Sequence, residues 1–230
     1  MKYRMILLLY AILFANTQAK EGIPFPELGQ VQPRHARDIQ SSNWSVGAET
    51  MDRDYTIYDN WKEHLGPLGI KKARLQAGWA KTEKEKDVYH FDWLDAIVFD
   101  MVEQGVEPWM CLCYGNPVYS PSGIRLGAAL PTDSTTQAAW ERWMRLVVVR
   151  YKDVIDEWEI WNEPNNDKNP PHVYAKLLIR TAEAIREIQP DAQILAMSLA
   201  GVPIAWPEQV LQHVEHAGKL HLIDQITFHP

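Results

Sequence analysis

Cysteine is nearly absent: Cys111 and Cys113 are the only two among 230 residues. In an extended segment positions i and i+2 share one face, a spacing that seldom meets disulfide geometry. Two thiols without further ligands nearby fall short of a metal site. Both are therefore expected to be small buried apolar residues. Long hydrophobic runs are also missing, and the ten apolar residues 5–14 are too few to span a bilayer. No Gly-rich turn follows the first strand-like segment, so the dinucleotide-binding fingerprint is absent and an oxidoreductase has no motif behind it. Positive charge is in short supply, with 23 Lys and Arg against 30 Asp and Glu. That balance disfavours nucleic acid and anionic membrane surfaces and suits a neutral substrate. Short repeats and low-complexity tracts are absent too.

What is present begins with a targeting pattern. Lys2 and Arg4 precede the apolar run, and Thr17 and Ala19 are small residues spaced for cleavage. Residues 1–19 are expected to be a signal peptide that sends the chain to the periplasm or outside the cell. No Cys adjoins the cleavage point, so a lipoprotein anchor is not expected. Cleavage leaves 21 basic and 30 acidic residues, a net charge of −9. Ten Trp is a high number, and an indole serves equally as core filler or as a flat face for a sugar ring.

Residues 20–42, rich in Pro, Gln, Arg and Gly, read as an irregular lead-in. Strand-like and helix-like segments then alternate over 43–230. Strands are predicted at 44–49, 70–79, 106–114, 156–163, 193–199 and 224–229. Helices are predicted around Tyr58, Trp61, Leu65 and Leu68, and over 91–104, 173–188 and 206–217. The 91–104 helix has Leu94, Ile97, Val98, Met101 and Val102 as its inner stripe, with Gly105 as its stop. A further helix carries Trp140, Trp143, Met144, Val147 and Tyr151 on one side, and Ser134 with Gln137 resembles a capping box at its start. Between strand three and that helix runs a long connection, 115–131.

Alternation of this kind means a parallel sheet with helical crossovers, either an open doubly wound sheet or a closed barrel. Polar residues gather at the C-terminal ends of the strands: Glu49, Gln76, Asn116, Asn162, Glu163 and His229. A (β/α)8 TIM barrel builds its active site there. Six strands are visible of the eight a barrel needs, so the fold class expected is α/β, an incomplete TIM barrel lacking strands seven and eight.

The richest motif is Trp161-Asn162-Glu163-Pro164-Asn165, closing the fourth strand. A carboxyl that serves as a proton donor must hold its proton near neutral pH, and burial against apolar rings favours that. Trp158, Ile160 and Trp161 just before Glu163 suggest such surroundings. Strict alternation sends Asn162 and Glu163 to opposite faces. Both reach one pocket only if the strand kinks or ends there, as Pro164 makes plausible.

The same run resembles the acid/base signature of clan A glycoside hydrolases, and 43–230 as a whole looks like that clan. The nearest resemblance is to glycoside hydrolase family 39 and its bacterial relatives. Gly69-Ile70-Lys71-Lys72-Ala73-Arg74-Leu75-Gln76 is similar to their second strand. Ile226-Thr227-Phe228-His229-Pro230 looks like the start of their sixth-strand His-x-Tyr element.

The resemblance implies a retaining O-glycoside hydrolase acting on β-linked glycosides or polysaccharide-derived oligosaccharides, with no cofactor and no metal. It assigns Glu163 as catalytic acid/base and Asn162 as the residue bonding the sugar 2-hydroxyl. Arg74 is implied as the support of the nucleophile and His229 as a pocket histidine. A plain salt bridge for Arg74 and a satisfied histidine at 229 stay open. Trp79, Tyr114 and Asn116 are weaker candidates for lining the sugar subsite, and ordinary packing is as good an account of the two aromatics. Gln76 stands where family 39 commonly has His. The clan's nucleophile is a Glu on strand seven, which has no counterpart here. The alternative is therefore a non-catalytic carbohydrate-binding barrel, or an inactive fragment lacking its nucleophile.

Overall fold

The computed structural model describes residues 29–30, 32–119, 130–166 and 169–230. The expected signal peptide, residues 20–28 and 31 of the lead-in, and residues 120–129 of the long connection lie outside them. The chain divides into two units, Met1–Gln32 and Pro33–Pro230. The architecture that follows is that of the second.

Six strands form one parallel sheet in sequential order: β1 (Ser45–Gly47), β2 (Lys72–Gln76), β3 (Glu107–Leu112), β4 (Glu157–Ile160), β5 (Gln193–Ala200) and β6 (Gln225–His229). Five helices join them: α1 (Trp79–Thr82), α2 (Asp92–Glu103), α3 (Ser134–Tyr151), α4 (Pro171–Ile188) and α5 (Ala205–His216). The sheet is strongly curved. β2 and β5 are three strand spacings apart, about 14 Å on a flat sheet, yet Arg74 Nη2 on β2 lies 2.9 Å from Ser198 Oγ on β5. The result is an incomplete TIM barrel, as the alternation and the strand count predict.

Each face of the sheet has its own chemistry. Ala73, Leu75, Trp158 and Ile160 are buried against the helices, and the Trp158 indole donates to Gln189 Oε1 just past α4 (2.8 Å). The concave face carries Arg74, Glu159 and Thr227, which bond one another from β2, β4 and β6. Side chains from alternate strands meeting in one layer are the packing signature of a TIM-barrel interior. Cys111 and Cys113 are free and buried, and burial pushes the Cys111 thiol up. They are small core residues, as the sequence suggests.

Helix limits follow local chemistry. α3 presents Trp140, Trp143, Met144, Val147 and Tyr151 to the core as expected. Its cap is Asp133, which accepts from the Thr136 N–H (2.9 Å), not Ser134. Gln137 donates instead to the Thr132 carbonyl (3.0 Å), so the expected Ser134/Gln137 capping box does not form. A carboxylate one residue earlier is the stronger acceptor at a helix N-terminus. In α2, Leu94, Ile97, Val98 and Met101 are buried, but Val102 falls at the edge of the stripe and is partly exposed.

The helix expected around 58–68 is absent. Two short 3-10 turns, Tyr58–Asn60 and Lys62–His64, stand in its place. Tyr58 and Leu65 still bury, while Leu68 is exposed. Gly66-Pro67 and Gly69 interrupt any helix in this stretch.

Residues of the lead-in pack where strands begin. Ala36, in a 3-10 turn Ala36–Asp38, is fully buried and donates its N–H to the Gly66 carbonyl (2.8 Å). Gly105 takes φ +80° beside the Arg37 backbone, where a Cβ would sit 2.8 Å from Arg37 Cα.

Candidate active site

β4 ends at Ile160 because the next residues leave extended geometry: Trp161 has φ +68° and Glu163 φ +49°. Both lie in the left-handed region that non-glycine residues rarely enter, and such strain clusters at functional sites. The double turn answers the alternation problem. It brings the Asn162 and Glu163 side chains into one hydrogen-bonded network, with the Glu163 N–H donating to the Ser198 carbonyl on β5 (2.8 Å).

The Glu163 carboxyl makes two side-chain hydrogen bonds. Its Oε1 is 2.9 Å from His229 Nδ1, and its Oε2 accepts from Asn166 Nδ2 at 2.8 Å. Its side chain is about one-third exposed (31%). The apolar rings expected around it are elsewhere. Trp161 is buried against Tyr114 and Trp140, and Trp158 and Ile160 point to the helix side because strand alternation places them opposite Glu159. Polar partners, not indoles, surround this carboxyl.

Arg74 is the hub of the site. Its side chain is 6% exposed. Nε donates to Glu159 Oε2 (2.6 Å), Nη1 to Glu49 Oε1 (2.6 Å), and Nη2 to Asn162 Oδ1 and Ser198 Oγ (2.9 Å each). Asn162 is therefore held by the same guanidinium that neutralises Glu159. On the far side, Thr227 Oγ1 donates to Glu159 Oε1 (2.6 Å) and accepts from the Ser198 N–H (3.1 Å). His229 Nε2 lies 3.2 Å from Ser198 Oγ.

Beside this network, Gln76 accepts from Arg53 Nη2 (2.8 Å) and donates to the Tyr114 hydroxyl (3.2 Å). The Arg53 guanidinium stacks over the Tyr114 ring at 4.8 Å. Burial raises Tyr114 and pushes the neighbouring Asp52 carboxyl up to about 6.

Of the seven candidates from sequence, Glu163, Asn162, Arg74 and His229 join one connected cluster, and Tyr114 sits next to it through Gln76. Trp79 and Asn116 do not. Trp79 has no exposed surface, stacks between Tyr119 and Trp143, and donates its indole N–H to Glu83 (2.6 Å). Asn116 is buried with its amide on the Glu83 carbonyl (2.8 Å) and its oxygen on the Val118 N–H (2.9 Å). Both side chains hold the segments after β2 and β3 together.

Ser198 and Thr227 are absent from the sequence candidates. Nothing in the run Ala196-Met197-Ser198-Leu199 marks a bulge. Among the described residues no group of three His, Cys, Asp or Glu forms a metal site, and no helix is long and apolar enough to cross a membrane.

No protein-family model matches the chain. It is 26% identical over 182 residues to a 6-phospho-β-glucosidase of Clostridium longisporum, covering 64% of this chain and 37% of that protein. Its structure is similar to a family 39 glycoside hydrolase from Bacteroides cellulosilyticus WH2 (TM-score 0.63, 20% identity, 81% of this chain and 38% of that one). It is equally similar to a monomeric β-xylosidase from Caulobacter crescentus CB15 (TM-score 0.63, 23% identity, 80% and 41%). The chain thus shares its barrel fold with family 39 glycoside hydrolases and spans about two fifths of the length of these proteins.

Proposed function

We propose that the chain supplies most of the catalytic barrel of a retaining O-glycoside hydrolase, with Glu163 as its acid/base. One observation carries this: the strained end of β4 places Glu163 and Asn162 together at the C-terminal mouth of the sheet, each oriented by a separate partner. Such preorganisation is what a proton donor and a sugar-hydroxyl ligand require. The β-glycosidases to which the chain is similar support a β-linked glycoside as substrate.

In the first half-reaction Glu163 gives its proton to the glycosidic oxygen as that bond breaks, and a second carboxylate attacks the sugar carbon to form a glycosyl-enzyme. In the second, Glu163 takes a proton from water, whose oxygen displaces the carboxylate. Glu159 is buried and saturated by Arg74 and Thr227, and Glu49 is paired with Arg74. Neither is free for attack, so the nucleophile is assigned to a carboxylate on a further strand, about 5–5.5 Å from Glu163.

The test is Glu163→Gln in the full-length protein, assayed on an unactivated β-glycoside. The expected result is a loss of at least about a hundredfold in kcat. Undiminished turnover overturns the assignment. Export is part of the same proposal, supported by Lys2, Arg4 and the apolar run 5–14. N-terminal sequencing of the mature protein should then start at Lys20, and an intact Met1 overturns it.

A further inference from the structure

Ser198 has no part in the chemistry above, yet every polar group it owns is committed to the site. It lies on β5 at 0% exposure, where the β5–β6 register shifts between Ala196 and Leu199. Met197 (φ +80°) and Ser198 (φ +39°) are consecutive non-glycine residues in the left-handed region. A bulge of this kind re-aims a side chain that regular alternation would place elsewhere.

The donors fix the direction of the contacts. Arg74 can only donate, so Ser198 Oγ accepts from Nη2 (2.9 Å). The serine keeps its own hydroxyl proton to give, and the cation beside it makes that hydroxyl a better donor than acceptor. Its neighbour is His229 Nε2 at 3.2 Å. A ring that accepts at Nε2 carries its proton on Nδ1, and Nδ1 lies 2.9 Å from Glu163 Oε1. The groups then run head to tail from the guanidinium through Ser198 and His229 to the carboxyl.

We propose that Ser198 is a positioning residue that selects the Nδ1–H tautomer of His229 and so presents a fixed donor to Glu163 Oε1. With Oε1 held as an acceptor, the proton Glu163 transfers sits on Oε2, whose other lone pair accepts from Asn166. The catalytic part of this inference rests on Glu163 acting as acid/base. The tautomer itself does not.

The experiment is nitrogen NMR of the imidazole rings in the histidine-labelled full chain, comparing wild type with Ser198→Ala and Ser198→Gly. Alanine keeps the strained backbone, whereas glycine relieves it and secures a folded variant. Wild type should show neutral His229 protonated on Nδ1. Both variants should move it towards the Nε2–H form, and an equal shift in the two assigns the effect to the hydroxyl rather than to strain. A wild-type ring protonated on Nε2, or one tautomer shared by all three proteins, overturns the proposal. A tautomer shift alongside an active Glu163→Gln protein supports the chain of contacts and overturns the acid/base role. An unchanged tautomer alongside an inactive one overturns the chain of contacts alone.

Discussion

Arg74 Nε on β2 donates to Glu159 Oε2 on β4 across a distance of 2.6 Å, passing over β3. Glu159 is 1% exposed, so its charge depends on that guanidinium. Removing one partner of a buried pair leaves the other uncompensated and costs about 3–5 kcal/mol. Arg74→Met should lower stability in urea unfolding by that amount. The double variant Arg74→Met/Glu159→Gln should recover part of it, because the stranded charge is gone. A single variant as stable as wild type contradicts the role.

Asp52 carries the clearest pH signature. Burial raises its carboxyl from 3.8 to about 6 despite Arg53 at 3.6 Å. The folded protein holds this proton more tightly than the unfolded chain does. Its contribution to stability is therefore present below the unfolded value and is lost as pH rises through the folded one. The decline should total about 2–3 kcal/mol between roughly pH 4 and pH 6. Asp52→Asn should flatten that part of the stability profile and raise the urea midpoint at neutral pH. Parallel profiles for the two proteins contradict it.

Tyr174 on α4 ties the end of β4 to the bulge of β5. Its buried hydroxyl donates to the Ile160 carbonyl (2.8 Å) and accepts from the Met197 N–H (2.7 Å). Tyr174→Phe leaves both backbone groups unpaired, at a cost of about 1–3 kcal/mol. Thermal unfolding should shift down by several degrees, and amide exchange at Met197 should accelerate. An unchanged exchange rate contradicts the link.

Gly105 should not tolerate a side chain. Alanine there meets both a positive φ and the Arg37 backbone. Gly105→Ala should destabilise by at least about 1 kcal/mol, read from urea unfolding. Equal stability would mean the lead-in residues yield.

Much of the barrel was legible because its signals are local. Hydrophobic runs bounded by helical stripes announced six strands within a few residues of their observed limits, and Gly105 ended α2 as a glycine should. The 58–68 stretch misled because its apolar spacing was helical while Gly66-Pro67 forbade the helix. Trp79 misled because a strand-end position says nothing about which way an indole turns. Its partners, Tyr119 and Trp143, lie 40 and 64 residues away in sequence.

By itself, the sequence determined that Asn162 and Glu163 stand at the C-terminal end of the fourth strand, although that strand stops at Ile160, where Trp161 leaves extended geometry, and not at Pro164. Alternation alone left an open doubly wound sheet and a closed barrel both standing, and the polar residues at the strand ends pointed to the barrel, whose strands follow in sequential order. Only the tertiary structure decided what surrounds Glu163. The expected apolar rings face the helices, and the carboxyl sits instead between His229 and Asn166. The reason is curvature. Closing the sheet brings β2, β4, β5 and β6 to one point, so Arg74, Ser198 and His229 meet across separations of up to 155 residues. No periodicity within a single strand encodes that convergence.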